Sequence, residues 1–167
     1  MRFRHHPAQE YEIDSIASRL TDEENAVRLL LMEATIERGE PITPGTLTHG
    51  GVLQPEAKPL IERLIEKRAV VQDEEGHLSF IFPVSALPTR HRVSLKDGRR
   101  LFAMCAVDAM GTAFTFEQDA EIESECSECG AKIVIGIERG ELAVVVPSST
   151  HVLHVDLQKV ENWAGAA

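Results

Sequence analysis

Cys105 and Asp108 stand three residues apart in a run of Ala, Met and Val, and on a helix that spacing puts them on one face. A carboxylate among apolar neighbours is costly to keep charged, so desolvation favours its protonated form and makes Asp108 a candidate proton donor. A thiolate at Cys105 beside it would be a soft ligand or a nucleophile. The same spacing also suits a buried cysteine acting as a small hydrophobe, with the aspartate capping a backbone amide. A second pair, Cys126 and Cys129, lies in C-S-E-C-G, the form of a metal knuckle whose turn amides point at sulfur. Tetrahedral zinc takes four ligands, and Cys105, His151 and His154 are the residues left to complete such a set. A redox dithiol, or one structural cysteine with an incidental neighbour, is the alternative for this pair. No Gly-rich phosphate loop, G-x-S-x-G or H-E-x-x-H occurs, so no nucleotide cofactor is expected.

The elements that must position these residues are read from periodicity. Val27, Leu30, Leu31 and Ala34 predict a helix over 24–38, with Thr21 or Asp22 as its N-cap and Gly39 as its stop. The stretch 41–51, with two prolines and three glycines, leaves room for one short helical turn. Ala57, Leu60, Ile61, Leu64 and Ile65 form the stripe of another helix, and Val70–Val71, the turn 73–76 and 77–82 read as a hairpin. That order is winged-helix-like. Its second long helix carries Lys58, Arg63, Lys67 and Arg68 against Glu56, Glu62 and Glu66, too near neutrality for a DNA grip. Residues 83–100 read as a linker that includes a hairpin turn at Asp97-Gly98 and the basic residues Arg90, Arg92, Lys96, Arg99 and Arg100. That cluster suits solvent, an anionic ligand or the acidic half of the chain. Beyond it, 101–111 reads as a short buried helix, and Phe114, Phe116 and 120–126 as strands with Glu121, Glu123 and Glu125 facing water. Two more strands cover 133–137 and 142–146, and the tail from His151 supplies a strand or a helix. The expected fold class is α+β: a winged-helix-like module over 1–82, a linker over 83–100, and a small mixed or antiparallel sheet domain over 101–167.

Charge divides the chain at the same place. The 167 residues carry 17 Lys+Arg against 27 Asp+Glu, and residues 101–167 hold 3 basic and 11 acidic side chains. An acidic half is a poor partner for phosphate backbones. All three cysteines lie in it, too few for a disulfide scaffold. With no apolar stretch after the first basic residues and no run near the ~20 residues of a membrane span, reduced thiols in the cytoplasm are expected.

The segment 101–135, with C-A-V-D-A at 105–109 and D-A-E-I-E-S-E-C at 119–126, resembles the core of the organomercurial (alkylmercury) lyase family. The winged-helix-like half and E-N-W-A at 161–164 are similar to that family in order and placement, so the resemblance covers about 24–165. It implies a sheet domain of the alkylmercury lyase type and protonolysis of a carbon–mercury bond. In that reading Cys105 binds mercury as a thiolate, Asp108 delivers the proton, and Cys126 matches a structural cysteine. Asp108 and Cys105 then both face the metal, which is substrate and product, and no further cofactor is required. The family's second catalytic cysteine lies near the C-terminus, whereas 147–163 here contains none. Cys126, Cys129 or a histidine of the tail is left to replace it. Two alternatives to the lyase reading follow from the same residues. One is a non-catalytic soft-metal protein using Cys105 with Cys126 and Cys129 on mercury, zinc or copper, and the other is a winged-helix regulator. The expected partner is a small organomercurial or a metal ion, with neither DNA nor membrane.

Overall fold

Thr21 opens the first helix through a capping box. Its hydroxyl accepts the Glu24 amide at 3.2 Å while the Glu24 carboxylate accepts the Thr21 amide at 2.8 Å. The helix, α1 (Asp22–Arg38), ends on Gly39, whose left-handed backbone (φ 68°) lets its amide reach the Thr35 carbonyl. Thr21→Ala removes half of the box and is expected to cost about 1 kcal/mol in a denaturation experiment. The computed structural model describes residues 16–44 and 57–152.

The expected stripe of α1 packs on the core through Val27, Leu31 and Ala34, but its buried side is wider than that stripe. Glu24, Arg28, Leu31, Met32 and Thr35 face inward, whereas Leu30 is 42% exposed. The two charged residues are tolerated because each meets a partner. Glu24 takes Lys67 Nζ at 2.7 Å and Arg63 Nε at 3.2 Å. Arg28 Nε donates to the Phe82 carbonyl at 2.8 Å, and another guanidinium nitrogen donates to Asn25 at 2.9 Å. The second helix, α2 (Ala57–Glu66), follows its predicted stripe, burying Ala57, Ile61 and Leu64.

Among the described residues the strands form one eight-stranded sheet in which every pairing is antiparallel. They are β1 (Val70–Gln72), β2 (Leu78–Ile81), β3 (Val84–Ser85), β4 (His91–Leu95), β5 (Arg100–Ala103), β6 (Ala120–Glu125), β7 (Lys132–Glu138) and β8 (Glu141–Val146), in the order β1-β2-β3-β5-β4-β6-β7-β8. The hairpins expected at 70–82, at Asp97-Gly98 and at 133–146 are all present, with Gly98 at φ 93° in its turn. β6 alternates as its sequence suggested, with Ala120, Ile122 and Ser124 buried and Glu121, Glu123 and Glu125 exposed.

Three expectations need correction. Residues 83–100 are not a free linker, because they contribute β3, β4 and the first residue of β5 to the sheet. Val93 and Leu95 sink into the core, so this stretch is held by burial as well as by its ladder. The apolar run 101–111 is not one helix. Its first residues complete β5, and α3 (Ala106–Thr115) starts after Cys105. Phe114 belongs to that helix and Phe116 caps its C-terminus, so neither is in a strand. Ile42 bridges Leu78 beside β2. The short helix expected in 41–51 falls from residue 45 onward outside the described residues, as do His154 and E-N-W-A at 161–164. Among the described residues no helix is long and apolar enough to cross a membrane.

The core lies where α1, α2 and α3 cover the sheet, with Leu31, Met32, Leu64, Leu78, Ile81, Val93 and Ile122 almost fully buried. α3 packs on β4, β5 and β6. Register decides what meets at one end of this sheet. Val84 pairs with Ala103, Ala103 with His91, and Ser124 with Ile133, while His91 Nδ1 and Ser124 Oγ are hydrogen-bonded at 2.9 Å. Beyond this row the chain continues to Phe82 from β3, Cys105 from β5 and Cys126 from β6. One end of the sheet therefore gathers residues that are far apart in sequence.

Candidate active site

Cys105 sits at the N-cap of α3, immediately after the strand that feeds it. The helix start brings the Asp108 amide to the sulfur at 3.4 Å, while the thiol donates to Asp108 Oδ2 at 3.0 Å. A helix N-terminus ordinarily favours a thiolate. Here burial pushes the thiol up to about 12, with the Asp108 charge and the hydrogen bond to its carboxylate adding to the rise. The backbone amides of Asp108 and Val107 oppose the shift without reversing it. At neutral pH this favours a thiol proton at Cys105 that points at a carboxylate oxygen, an arrangement able to pass one proton from sulfur to oxygen once an electrophile takes the sulfur.

Arg28 completes the surroundings and was not singled out by the sequence. It is only 5% exposed, and burial lowers its proton affinity while attraction to Asp108 raises it. The same attraction favours the charged form of Asp108. The signal for it was present: Arg28, Leu31 and Thr35 follow helical spacing on α1, with a cation inside the buried face. His91, also unmarked by any motif, lies in the row between Ala103 and Ser124. Burial, then the Arg90 charge, push its titration below the ordinary value, which favours the neutral ring.

Cys126 and Cys129 stand at the turn between β6 and β7, at the same end of the sheet as Cys105. Ala103 and Ser124 are separated by one intervening strand, about 10 Å across two interstrand spacings. The turn is closed by the Cys126 amide on the Ala131 carbonyl and the Gly130 amide on the Cys126 carbonyl, both at 2.9 Å. Gly130 has φ 68°, a backbone that favours glycine. The Cys129 amide, the Glu128 amide and the Cys129 thiol all act on the Cys126 sulfur and lower its titration. All three cysteines are free, with Cys129 exposed and the other two partly buried.

The four-ligand zinc set is not assembled among the described residues, where no group of three or more His, Cys, Asp and Glu side chains is arranged to hold a metal ion. His151 Nδ1 is hydrogen-bonded to the Ser149 carbonyl at 2.7 Å in an exposed position, and His154 lies outside the described residues. Two residues of the basic cluster meet acidic side chains. Lys96 pairs with Asp119 at 2.8 Å, and Arg99 with Asp97 at 2.8 Å and with Glu33, while its guanidinium lies 4.7 Å from the Phe116 ring centroid.

An antiparallel sheet whose end presents a partly buried thiol–carboxylate pair defines a protein equipped for thiol and proton chemistry. Comparison with known proteins makes the class specific. Residues 84–167 match the family model described as alkylmercury lyase (MerB), and the chain belongs to the alkylmercury lyase family. Alkylmercury lyases from Bacillus cereus and Clostridium butyricum are each 30% identical to it over 77 residues, 46% of this chain and 34% of theirs. The match thus spans about a third of the length of these curated relatives. The fold is also that of a solved structure described as the mercury-bound form of MerB2, with a TM-score of 0.59 and 23% identity over 80% of this chain and 65% of that one.

Proposed function

We propose that the protein cleaves the carbon–mercury bond of a small organomercurial by protonolysis, with Cys105 binding the metal and Asp108 delivering the proton. The observation that carries this reading is the 3.0 Å hydrogen bond from the Cys105 thiol to Asp108 Oδ2. The steps balance with one proton. As the sulfur attacks mercury and displaces its labile ligand, the thiol proton moves to Asp108. A second thiolate then adds to mercury and pushes electron density onto the bound carbon. Asp108 returns the proton to that carbon, which leaves as hydrocarbon, and mercury(II) stays on two sulfurs. Soft thiolates suit a soft metal, and a proton donor already placed beside the ligand spares the reaction a search through water.

The strands that lead to Cys105 and Cys126 have β4 between them, about 10 Å across two interstrand spacings, so the second thiolate is assigned to a small-molecule thiol in solution. The chain works in the cytoplasm, where such thiols are abundant. Its described N-terminal helices, winged-helix-like in their order, pack on the sheet that continues into the strand before Cys105 and serve as support instead of holding DNA. The engagement of Lys67 and Arg63 with buried Glu24 supports that assignment. The test is release of benzene from phenylmercury acetate by the full chain with excess monothiol, followed by gas chromatography. Turnover above the protein-free rate is expected. Release no faster than with thiol alone, from protein with intact circular dichroism, would overturn the lyase reading.

A further inference from the structure

We propose that Cys126 and Cys129 form a second metal site, separate from Cys105, that chelates a two-coordinate soft cation, mercury(II) above all. Three observations converge on the turn between β6 and β7. The Gly130 amide bonds the Cys126 carbonyl at 2.9 Å and winds 126–130 into one turn, which sets Cys126 and Cys129, three residues apart, on the same side of it. Two backbone hydrogen bonds and the left-handed Gly130 hold the loop in this shape before any ion arrives. Cys129 is exposed, so ligands can exchange there.

The number of donors selects the ion. No third His, Cys, Asp or Glu joins the two sulfurs among the described residues, so the turn offers a pair and not a closed tetrahedron. A pair of thiolates satisfies a soft ion content with two sulfur ligands, while structural zinc seeks four. Position supplies the use. The turn stands at the same sheet end as Cys105, with β4 between the strands that carry the two sites. A mercury(II) ion released from Cys105 and an external thiolate meets two further sulfurs at that same end of the sheet. In the exchange Cys126 and Cys129 lose two protons and form two Hg–S bonds. Cys105 and the external thiolate leave the metal and each takes up one proton. No oxidation state changes. Only the origin of the ion rests on the lyase reading, and the site itself does not.

The test uses mercuric chloride, which needs no carbon–mercury cleavage. Full-length Cys105→Ser protein is loaded with one equivalent, challenged with excess cysteine, desalted and analysed for mercury. About one ion per chain is expected to remain, because two thiols on one short turn outcompete monothiols through an effective concentration in the mM range. Adding Cys129→Ser to that background is expected to weaken retention by about 100-fold or more. Cys129 is exposed, so this variant keeps the fold, and circular dichroism checks that it does. Loss of mercury from Cys105→Ser alone, or equal retention after Cys129→Ser, would overturn the second site. Either result leaves benzene release by the wild type to be judged on its own.

Discussion

Cys105→Ser and Asp108→Asn are expected to fail in opposite ways. The serine variant should release no hydrocarbon, since an alcohol at that position is neither a soft ligand nor an acidic partner for mercury. The asparagine variant should still capture mercury, yet release hydrocarbon about 10²–10⁴-fold more slowly, the usual contribution of a placed proton donor. Its thiol should change in the other direction. Burial is the largest cause of the raised Cys105 titration, and the charge and hydrogen bond of Asp108 are the next two. Removing them brings the thiol back toward its ordinary range without reaching it. Alkylation of Cys105 by iodoacetamide at pH 7.5, followed by peptide mass spectrometry, should therefore speed up in Asp108→Asn while product formation collapses. Cys129, being exposed, should be modified at the same rate in both proteins. A variant that alkylates faster and still releases benzene within a few-fold of wild type would remove Asp108 from proton delivery. A merely misfolded variant would expose every thiol alike.

How the sequence announced this site follows from what its pattern could encode. Strand β6 was legible because a half-buried strand alternates, and β7 and β8 because the turn at 138–141 divides two short apolar runs. The pairing of Cys105 with Asp108 was legible from spacing, since the first turn of a helix brings residues three apart together. The start of α3 was not. The run from Leu101 to Met110 is apolar on both sides of the break, and a cysteine takes the N-cap position where Ser, Thr, Asp or Asn would have signalled it. On α1 the stripe placed Val27, Leu31 and Ala34 on the core but missed Glu24 and Arg28, because hydrophobic periodicity is blind to buried charge. Glu24 is buried against Lys67, 43 residues on, and Arg28 against the carbonyl of Phe82, 54 residues on. Those partners arrive only through tertiary folding. Likewise, no local motif could show that Cys105 and Cys126 share an end of the sheet, because that follows from β4 pairing with both β5 and β6.

Arg28 carries the other large effect. Its Nε holds the carbonyl of Phe82, the residue two positions before Val84, which pairs with Ala103 next to the Cys105 turn. Its charge also acts on Asp108. Arg28→Met removes both functions and Arg28→Lys removes chiefly the first, so the two variants separate position from charge. The methionine variant leaves a buried carbonyl without its donor and is expected to lose about 1–3 kcal/mol in urea unfolding. Lysine should recover only part of that loss, since its single ammonium does not reproduce the planar fork. The pH profile of hydrocarbon release should respond to charge alone. At low pH the profile falls when Asp108 is already protonated and can no longer take the proton from Cys105. The positive charge of Arg28 favours ionised Asp108, so it holds that fall at lower pH. Loss of the charge in Arg28→Met must move the acid limb upward, and Arg28→Lys should return it toward the wild-type position. A limb moved up by a whole pH unit corresponds to about 1.4 kcal/mol of lost attraction. If both variants are destabilised but neither moves the limb, Arg28 only braces the loop before β3. A limb that moves in Arg28→Met and returns in Arg28→Lys makes Arg28 the positioning residue that sets when Asp108 accepts the proton.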